Sequence, residues 1–297
     1  MKTNFITLII VFIALSSCTL EGVKDKKNKQ QQEILVNDDV IDTTTAAPVK
    51  IDTNYLKKDT LEDGQPNQMV WNGEKGLRIE WDVKSDQPQL KYGDVVMVNY
   101  TARVARGEVY DSNSEIGHPI PLKIGIGQLI EGWEKGMLQM HPGDKGRILI
   151  PSKLAYGETG LGNIVPINAD IIVNLEITKK IKPIELEEGV KVYKYESVDG
   201  GKYPVKNQMI TFNYFAFRSN NKPGMYDNSY EKGHPFTFRF KNDNLIDGLH
   251  IGFSKLKAGE KAFIDIPAAA AYGKSGIVDL VPKNTNIVYD VRVEKIE

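Results

Sequence analysis

The chain has 297 residues, of which 41% are hydrophobic and 26% are charged. These fractions are typical of a globular protein with one or two cores. The formal net charge of −1 offers no bulk attraction for nucleic acid or for an acidic membrane surface, so no nucleic-acid partner is expected. A single cysteine excludes an internal disulfide framework and any metal site built from several cysteines.

The N-terminal residues have the pattern of a lipoprotein signal peptide. Lys2 precedes an apolar run, residues 5–15, which has the length of a signal-peptide core and is too short to span a bilayer. The tetrapeptide LSSC at 15–18 then resembles a bacterial lipobox, in which the cysteine is lipidated. The alternative is an ordinary signal peptide followed by a chance cysteine. We therefore expect a signal peptide over 1–17 and a lipid on Cys18 that anchors the protein to a membrane of the bacterial cell envelope, on its periplasmic or surface side.

Residues 18–68 have the composition of a flexible tether. The run KDKKNKQQQE at 24–33 is charged and rich in amides, and DDVIDTTTAAPVK at 38–50 adds Thr, Ala and Pro. Apolar residues are too sparse here to form a core. The alternative, a basic binding patch over 24–29, is disfavoured by the mixed composition of this segment and by the acidic residues that follow it.

From residue 69 onward the chain contains an internal repeat. The segments NYTARV, LIEGWEKGM and AYGETG at 99–104, 129–137 and 155–160 recur as NYFAFR, LIDGLHIGF and AYGKSG at 213–218, 245–253 and 271–276. Tyr156 and Tyr272 are 116 positions apart, whereas Tyr100 and Tyr214 are 114 apart, so the second copy has two additional loop residues between these elements. A repeat of this length is a small domain, which predicts domains over 69–180 and 181–297.

Each copy has the pattern of an antiparallel sheet with one short helix. One face of a predicted strand is apolar in both copies: Ile171, Val173, Leu175 and Ile177 in the first, and Ile287, Tyr289, Val291 and Val293 in the second. Apolar residues recur at helical spacing in LIEGWEKGM and in its counterpart, which places Trp133 and Leu249 on the buried face of a helix. The sequence therefore predicts an α+β fold.

Common catalytic patterns are missing from the sequence. The four histidines, His118, His141, His234 and His250, lack zinc-like spacing to another ligand, so no metal site is predicted. No serine lies in a nucleophile elbow. The segment GIGQLIEG at 125–132 is a weak match to a phosphate-binding loop, because Lys241 and Asp243 replace its first two glycines in the second copy.

What both copies retain is a set of aromatic and aliphatic residues with one carboxylate. The first set is Tyr100, Tyr110, Asp111, Ile130, Trp133 and Tyr156, and the second is Tyr214, Tyr226, Asp227, Ile246, Leu249 and Tyr272. The segment around Tyr156 is too polar and glycine-rich to be core, which favours tyrosines that overhang a pocket.

In order and spacing, VNYTA, VYDSN, LIEGWEKGM and AYGETG…IVP resemble the motifs of FKBP-type peptidyl-prolyl cis-trans isomerases, over about residues 76–179 and again over 189–296. The resemblance implies two tandem domains, each a bent antiparallel β-sheet wrapped around one short α-helix. It also implies a pocket between helix and sheet with the tryptophan as its floor, and no cofactor.

The resemblance assigns residues to both pockets. In the first, the catalytic residues would be Tyr100, Asp111, Ile130, Trp133 and Tyr156, and the substrate-binding residues Tyr110, Ile120, Leu129 and Val173. In the second, substrate would bind to Tyr214, Tyr226, Asp227, Phe236, Leu245, Ile246, Leu249, Tyr272 and Tyr289. The family usually has aromatic residues at the positions of Ile120 and Val173. The second copy keeps such residues as Phe236 and Tyr289 but has lost the tryptophan.

The reaction that the resemblance implies suits these residues. Rotation about an X-Pro bond has a barrier of about 18–20 kcal/mol and breaks no bond, so it needs neither a nucleophile nor a metal. A thousandfold acceleration requires only about 4 kcal/mol of differential stabilisation. By resemblance, the hydrogen-bond donors would be the Ile130 backbone N–H and the Tyr156 hydroxyl, with Asp111 polarising the wall.

We therefore expect a membrane-anchored prolyl isomerase whose partners are exported or envelope proteins with X-Pro bonds. An indole covers a larger flat area than an isobutyl group, so the domain that carries Trp133 is the expected catalyst. The alternative is a non-catalytic, chaperone-like module that holds proline-containing segments.

Overall fold

The structure, a computed structural model, describes residues 69–297. The predicted signal peptide, the lipidation site at Cys18 and the tether over 18–68 lie outside the described residues. No helix among residues 69–297 is long and apolar enough to cross a membrane.

The first copy of the repeat folds into a seven-stranded antiparallel sheet. Its strands are β1 (Met69–Asn72), β2 (Arg78–Val83), β3 (Val95–Val104), β4 (Val109–Ser112), β5 (Ile120–Lys123), β6 (Lys145–Ile150) and β7 (Ile171–Ile181). The strand order is β1-β2-β6-β7-β3-β4, and β5 pairs with the first half of β3. Helix α1 (Glu131–Met137) follows β5 and packs against β6.

The second copy repeats this topology. Its strands are β8 (Ile184–Glu185), β9 (Lys191–Glu196), β10 (Met209–Arg218), β11 (Gly224–Asn228), β12 (Phe236–Arg239), β13 (Lys261–Ile266) and β14 (Ile287–Ile296), and its helix is α2 (Asp247–Phe253). The strand order is β11-β10-β14-β13-β9-β8, with β12 on β10. Both long strands shift register at the same place, next to Met97 and Thr211, and such bulges bend a sheet. The structure confirms the predicted α+β fold with two tandem domains.

The repeated glycines of the two helices permit close packing on the sheets. A Cβ at Gly132 would lie 2.2 Å from Ile150 Cγ2, and a Cβ at Gly248 would lie 2.1 Å from Ile266 Cγ2. Only glycine allows the helix this close to the strand. The approach buries Trp133 and Leu249, as the helical spacing predicts.

A third cluster of buried apolar side chains joins the two domains. It contains Val95, Met97, Ile126 and Ile181 from the first domain, and Tyr193, Phe217, Phe263 and Val288 from the second. The border between the copies falls here, since Ile181 ends β7 within the cluster and Ile184 begins β8. Residues 69–297 accordingly belong to one compact unit.

Candidate functional site

The first candidate site lies between α1 and the inner face of the first sheet. Tyr100 on β3, Trp133 on α1 and Val173 on β7 belong to one buried cluster. The partly buried side chains packed against this cluster include Tyr110, Ile120, Leu129, Ile130 and Tyr156. Asp111 joins them through a hydrogen bond, so the structure brings together all nine residues that the sequence assigns to this pocket.

Tyr100 connects the carboxylate of the pocket to its floor. Its hydroxyl donates to Asp111 Oδ2 at 2.9 Å, and its ring centroid lies 5.1 Å from that of Trp133, tilted by 58°. Burial raises the pKa of Asp111 above its ordinary value, although the hydrogen bond from Tyr100 opposes this shift. Burial also raises the pKa of Tyr100, followed by the effect of the Asp111 charge. Tyr100 therefore remains a phenol that fixes the orientation of the carboxyl group.

Two further tyrosines stand at the edge of the pocket. The rings of Tyr110 and Tyr156 meet edge to face, with centroids 6.3 Å apart and planes at 78°. Tyr156 follows the short 3₁₀ turn Ser152–Leu154, in the glycine-rich segment that the sequence places over a pocket. Burial raises the pKa of both phenols. Both hydroxyls therefore keep their protons at neutral pH and can donate hydrogen bonds.

Ile130 presents a backbone donor at the start of α1. It is the N-cap residue, in an extended conformation, and its carbonyl accepts from Trp133 N at 3.0 Å and Glu134 N at 3.2 Å. Its own N–H has no hydrogen-bond partner among residues 69–297, as is usual for the first N–H groups of a helix. A backbone donor next to a buried cluster that contains an indole suits a ligand that combines an apolar ring with a carbonyl group.

Asn113 supports the pocket, and sequence reasoning did not assign it a role. Its Oδ1 accepts from Tyr100 N at 2.7 Å, and its Nδ2 donates to Val98 O at 3.2 Å and His118 O at 2.9 Å. This buried amide ties β3 to the segment after β4. In the second copy, the Ser229 hydroxyl accepts from Tyr214 N at 3.0 Å. The available signal in the sequence was that both copies have a polar residue at this position, Asn113 in the first and Ser229 in the second.

The second candidate site is the counterpart of the first, with different contents. Tyr214, Leu249 and Tyr289 are buried in the second core, and Tyr226, Leu245, Ile246 and Tyr272 pack against it. The Tyr214 and Tyr289 ring centroids are 5.4 Å apart, and Tyr226 donates to the Tyr289 hydroxyl at 3.3 Å. A phenol thus occupies the position that Val173 holds in the first pocket. Phe236 stands apart, 39% exposed, with its ring edge-on to Phe212.

An ion pair distinguishes the carboxylate of the second pocket. Tyr214 donates to Asp227 Oδ2 at 2.6 Å, as its counterpart does in the first pocket. Lys232 adds a contact at 2.6 Å to Asp227 Oδ1 and donates to the Tyr214 hydroxyl at 2.9 Å. The residue 116 positions earlier is Ile116. Sequence reasoning missed Lys232, and aligning the copies at this offset was the signal that could have found it.

Among residues 69–297, no cluster of three or more His, Cys, Asp or Glu side chains could hold a metal ion. The polar groups of the two pockets are phenols and one carboxyl group each, with the Lys232 ammonium group added in the second.

Comparison with known proteins gives the family. Residues 87–178 and 200–294 match the FKBP-type peptidyl-prolyl cis-trans isomerase family. FK506-binding protein 2 of Dictyostelium discoideum is 39% identical over 113 residues, which cover 38% of this chain and 81% of that protein. Peptidyl-prolyl cis-trans isomerase FKBP9 of Rattus norvegicus is 27% identical over 230 residues, which cover 75% of this chain and 39% of the relative.

Among solved structures, the three FKBP domains of wheat FKBP73 share 21% identity with this chain, with a TM-score of 0.38, over 75% of this chain and 96% of that chain. The two family matches span more than half of the sequence and cover β3 to β6 with most of β7 in the first sheet and β10 to β13 with most of β14 in the second. The chain therefore belongs to the FKBP-type peptidyl-prolyl cis-trans isomerase family.

Proposed function

We propose that the chain is an active peptidyl-prolyl cis-trans isomerase and that its first pocket performs the reaction. Membership of the isomerase family supports the activity. The observation that carries the assignment to the first pocket is the indole of Trp133 in the cluster against which Ile130 packs, where the Ile130 N–H has no hydrogen-bond partner among residues 69–297. The second pocket has Leu249 at the position of this indole.

The first pocket can lower the rotational barrier without covalent chemistry. A proline ring lies on the indole, the Ile130 N–H donates to a substrate carbonyl, and the Tyr156 hydroxyl supplies a second donor. The apolar walls disfavour the planar amide, which is more dipolar than the twisted one, and the held proline leaves the preceding carbonyl free to rotate. Tyr100 keeps the Asp111 carboxyl group against the wall of the pocket.

The matched tyrosines of the two pockets provide the test. In the full chain, Tyr156→Phe should lower kcat/KM for a short X-Pro peptide by about tenfold, the cost of about 1.4 kcal/mol of lost hydrogen bonding. Tyr272→Phe removes the counterpart hydroxyl and should leave turnover unchanged. Equal losses in the two variants would show that both pockets contribute, and no loss in Tyr156→Phe would remove this hydroxyl from the mechanism.

A second candidate function, holding of proline-containing segments, is favoured by the contents of the second pocket. The Lys232–Asp227 ion pair and the Tyr289 phenol make this pocket more polar than the first, over a smaller apolar floor. We propose that the second domain binds extended segments and so raises the substrate concentration near the first pocket. If the full chain prevents aggregation of an unfolded client but does not accelerate X-Pro isomerisation, holding is the main activity.

We also propose that the protein is anchored in the bacterial envelope through a lipid on Cys18 and that its clients are exported or envelope proteins. The LSSC sequence at the end of the apolar run supports this proposal. Cys18→Ser removes the only cysteine and should leave the protein unprocessed or released from membranes after signal cleavage. Membrane fractionation with Ser17→Ala as the control measures this, and a processed Cys18→Ser protein that stays on membranes would refute the anchor.

A further inference from the structure

The loop that leads to Ile130 is buried against the second domain. We call residues 124–129, which connect β5 to the start of α1, the pocket loop. Ile126, in the middle of this loop, is fully buried in the cluster that joins the domains. In the second copy the corresponding residues Lys241, Asn242 and Asp243 are all exposed. Contact with the second domain thus accounts for Ile126 in the GIG sequence at 125–127, whereas a Cβ at Gly125 would meet the Tyr92 ring of its own domain.

Gly127 lies against a loop of the second domain. Its φ is +69°, and a Cβ here would lie 3.1 Å from the carbonyl group of Pro223 and from Gly224 N. Pro223 belongs to the connection between β10 and β11, where the second copy has two more residues than the first. The additional length therefore falls in the loop that contacts the pocket loop.

A buried ion pair fixes the base of the pocket loop to the second domain. Lys123, at the end of β5, donates from Nζ to Asp265 Oδ2 at 2.8 Å and to Gly93 O at 2.7 Å. The ammonium group lies 4.3 Å from the centre of the Tyr193 ring, and the side chain is 1% exposed. Burial lowers the pKa of Lys123 and raises the pKa of Asp265, and the attraction between the two groups opposes both shifts.

The opposite side of the pocket loop is held by α1. Glu134 Oε1 accepts a hydrogen bond from Gly125 N at 3.1 Å. The loop is therefore clamped between the helix of its own domain and the surface of the second domain. A segment held on both sides keeps a neighbouring hydrogen-bond donor in a defined place.

We propose that the second domain positions the Ile130 N–H of the first pocket through the Lys123–Asp265 ion pair and the Gly127–Pro223 contact. Lys123 and Asp265 are then positioning residues, since neither belongs to the set that lines the pocket. This inference rests on the proposed function, in which the Ile130 N–H receives the substrate carbonyl. It gives the second domain a role in the reaction of the first even when its own pocket is empty.

The test is a double-mutant cycle in the full chain. Asp265→Leu leaves the buried Lys123 charge without this partner, and Lys123→Met does the same for the partly buried Asp265 carboxylate. The double variant replaces the pair by apolar side chains, which is often neutral or stabilising. Because a misplacement of about 1 Å can cost 10²-fold in rate, we expect each single variant to lose about tenfold in kcat on an X-Pro peptide. The double variant should recover to within about twofold of the unmodified chain.

Two further measurements make the outcome unambiguous. The amide resonance of Ile130 in an NMR spectrum should shift in each single variant and return in the double variant. Deletion of Asn221 and Lys222 shortens the β10–β11 loop without touching a buried charge. It should lower kcat and shift the Ile130 resonance in the same way, which keeps the test valid if a single variant does not fold.

The results separate this inference from the proposed function. If the unmodified chain gives no turnover, the proposed function fails, and the Ile130 resonance alone still tests the positioning. If the unmodified chain is active, unchanged kcat and an unshifted resonance in the loop deletion overturn the positioning. A double variant as impaired as the single variants also overturns it, because removal of the unpaired charge then does not restore the rate.

Discussion

The outer faces of the two sheets differ far more than their inner faces. Positions that carry Glu80, Arg103 and Arg147 in the first domain carry Tyr193, Phe217 and Phe263 in the second. The three aromatic residues are buried against the first domain. The inner faces, in contrast, keep the same strand order, helix and buried positions. A duplicated fold has thus kept its core and turned one outer face into an interface between its copies.

The pockets also differ between the copies. Trp133, Val173, Ile116 and Ile120 in the first domain correspond to Leu249, Tyr289, Lys232 and Phe236 in the second. Leu249 removes the indole, Tyr289 and Lys232 add polar groups, and Phe236 adds an aromatic ring. We propose that duplication separated a catalytic pocket from a binding pocket, and each of the following predictions changes one of the two domains.

The largest expected effect on stability comes from replacing an interface residue of the second domain by the residue at the same position of the first domain. Phe263→Arg places in the second domain the residue that the first has at this position, and buries a charge in the cluster that joins the domains. We expect the free energy of unfolding to fall by about 4 kcal/mol, the range for loss of a buried aromatic side chain. Denaturant unfolding of the full chain measures this change.

The control for this variant is an arginine on the surface of the same domain. Val278 is 85% exposed, so Val278→Arg should change the free energy of unfolding by no more than about 0.5 kcal/mol. If Phe263→Arg is as harmless as Val278→Arg, the aromatic cluster does not stabilise the chain.

A smaller effect on stability is expected from Asp290, a carboxyl group on the same outer face of the second sheet as Phe263. Burial raises the pKa of Asp290 from 3.8 to about 7, although the hydrogen bond from Tyr195 at 2.6 Å and the charge of Lys261 oppose the shift. The folded state therefore holds this proton up to about pH 7, whereas the unfolded chain releases it near pH 4. The contribution of Asp290 to stability is present below pH 4 and is lost as the pH rises to about 7.

The first domain has Asn174 at the position of Asp290, so Asp290→Asn is the matched substitution. The shift of the Asp290 pKa corresponds to at most about 4 kcal/mol in the free energy of unfolding. Because the side chain is partly exposed, we expect the pH-dependent change to be about 2 kcal/mol. Between pH 4 and pH 8 the free energy of unfolding should fall less steeply in the variant than in the unmodified chain. Parallel curves would show that Asp290 does not titrate in this range.

The smallest expected difference in stability concerns the helix glycines, which the two domains share. Gly132→Ala and Gly248→Ala each force a methyl group into an isoleucine on the adjacent strand. Overpacking of this kind costs roughly 1–2 kcal/mol, and the two variants should cost the same within about 0.5 kcal/mol. Thermal unfolding of both variants measures this, and unequal costs would show that the two helix–sheet contacts are not equivalent.

The core, including the buried positions of Trp133 and Val173, was predictable because its signals are local. Alternation around Val173 and helical spacing around Trp133 follow from the geometry of strands and helices. The interface was not predicted, because outward-facing residues such as Phe263 also fit the ordinary preference of strands for aromatic residues. Ile126 lies in a glycine-rich loop, and nothing within that segment indicates that it is buried. The charge contrast between Arg147 and Phe263 was visible only by comparing the copies.

Exchange of the two floor residues tests most directly the claim that the first pocket is the catalyst. Turnover of a short X-Pro peptide is measured for the full chain, for Trp133→Leu and for Leu249→Trp, with circular dichroism to verify folding. We expect Trp133→Leu to lower kcat/KM by about tenfold or more, because about 1.4 kcal/mol or more of differential stabilisation is lost. We expect Leu249→Trp to leave turnover unchanged or to raise it. Unmodified turnover in a folded Trp133→Leu chain, or a loss confined to Leu249→Trp, would contradict the account.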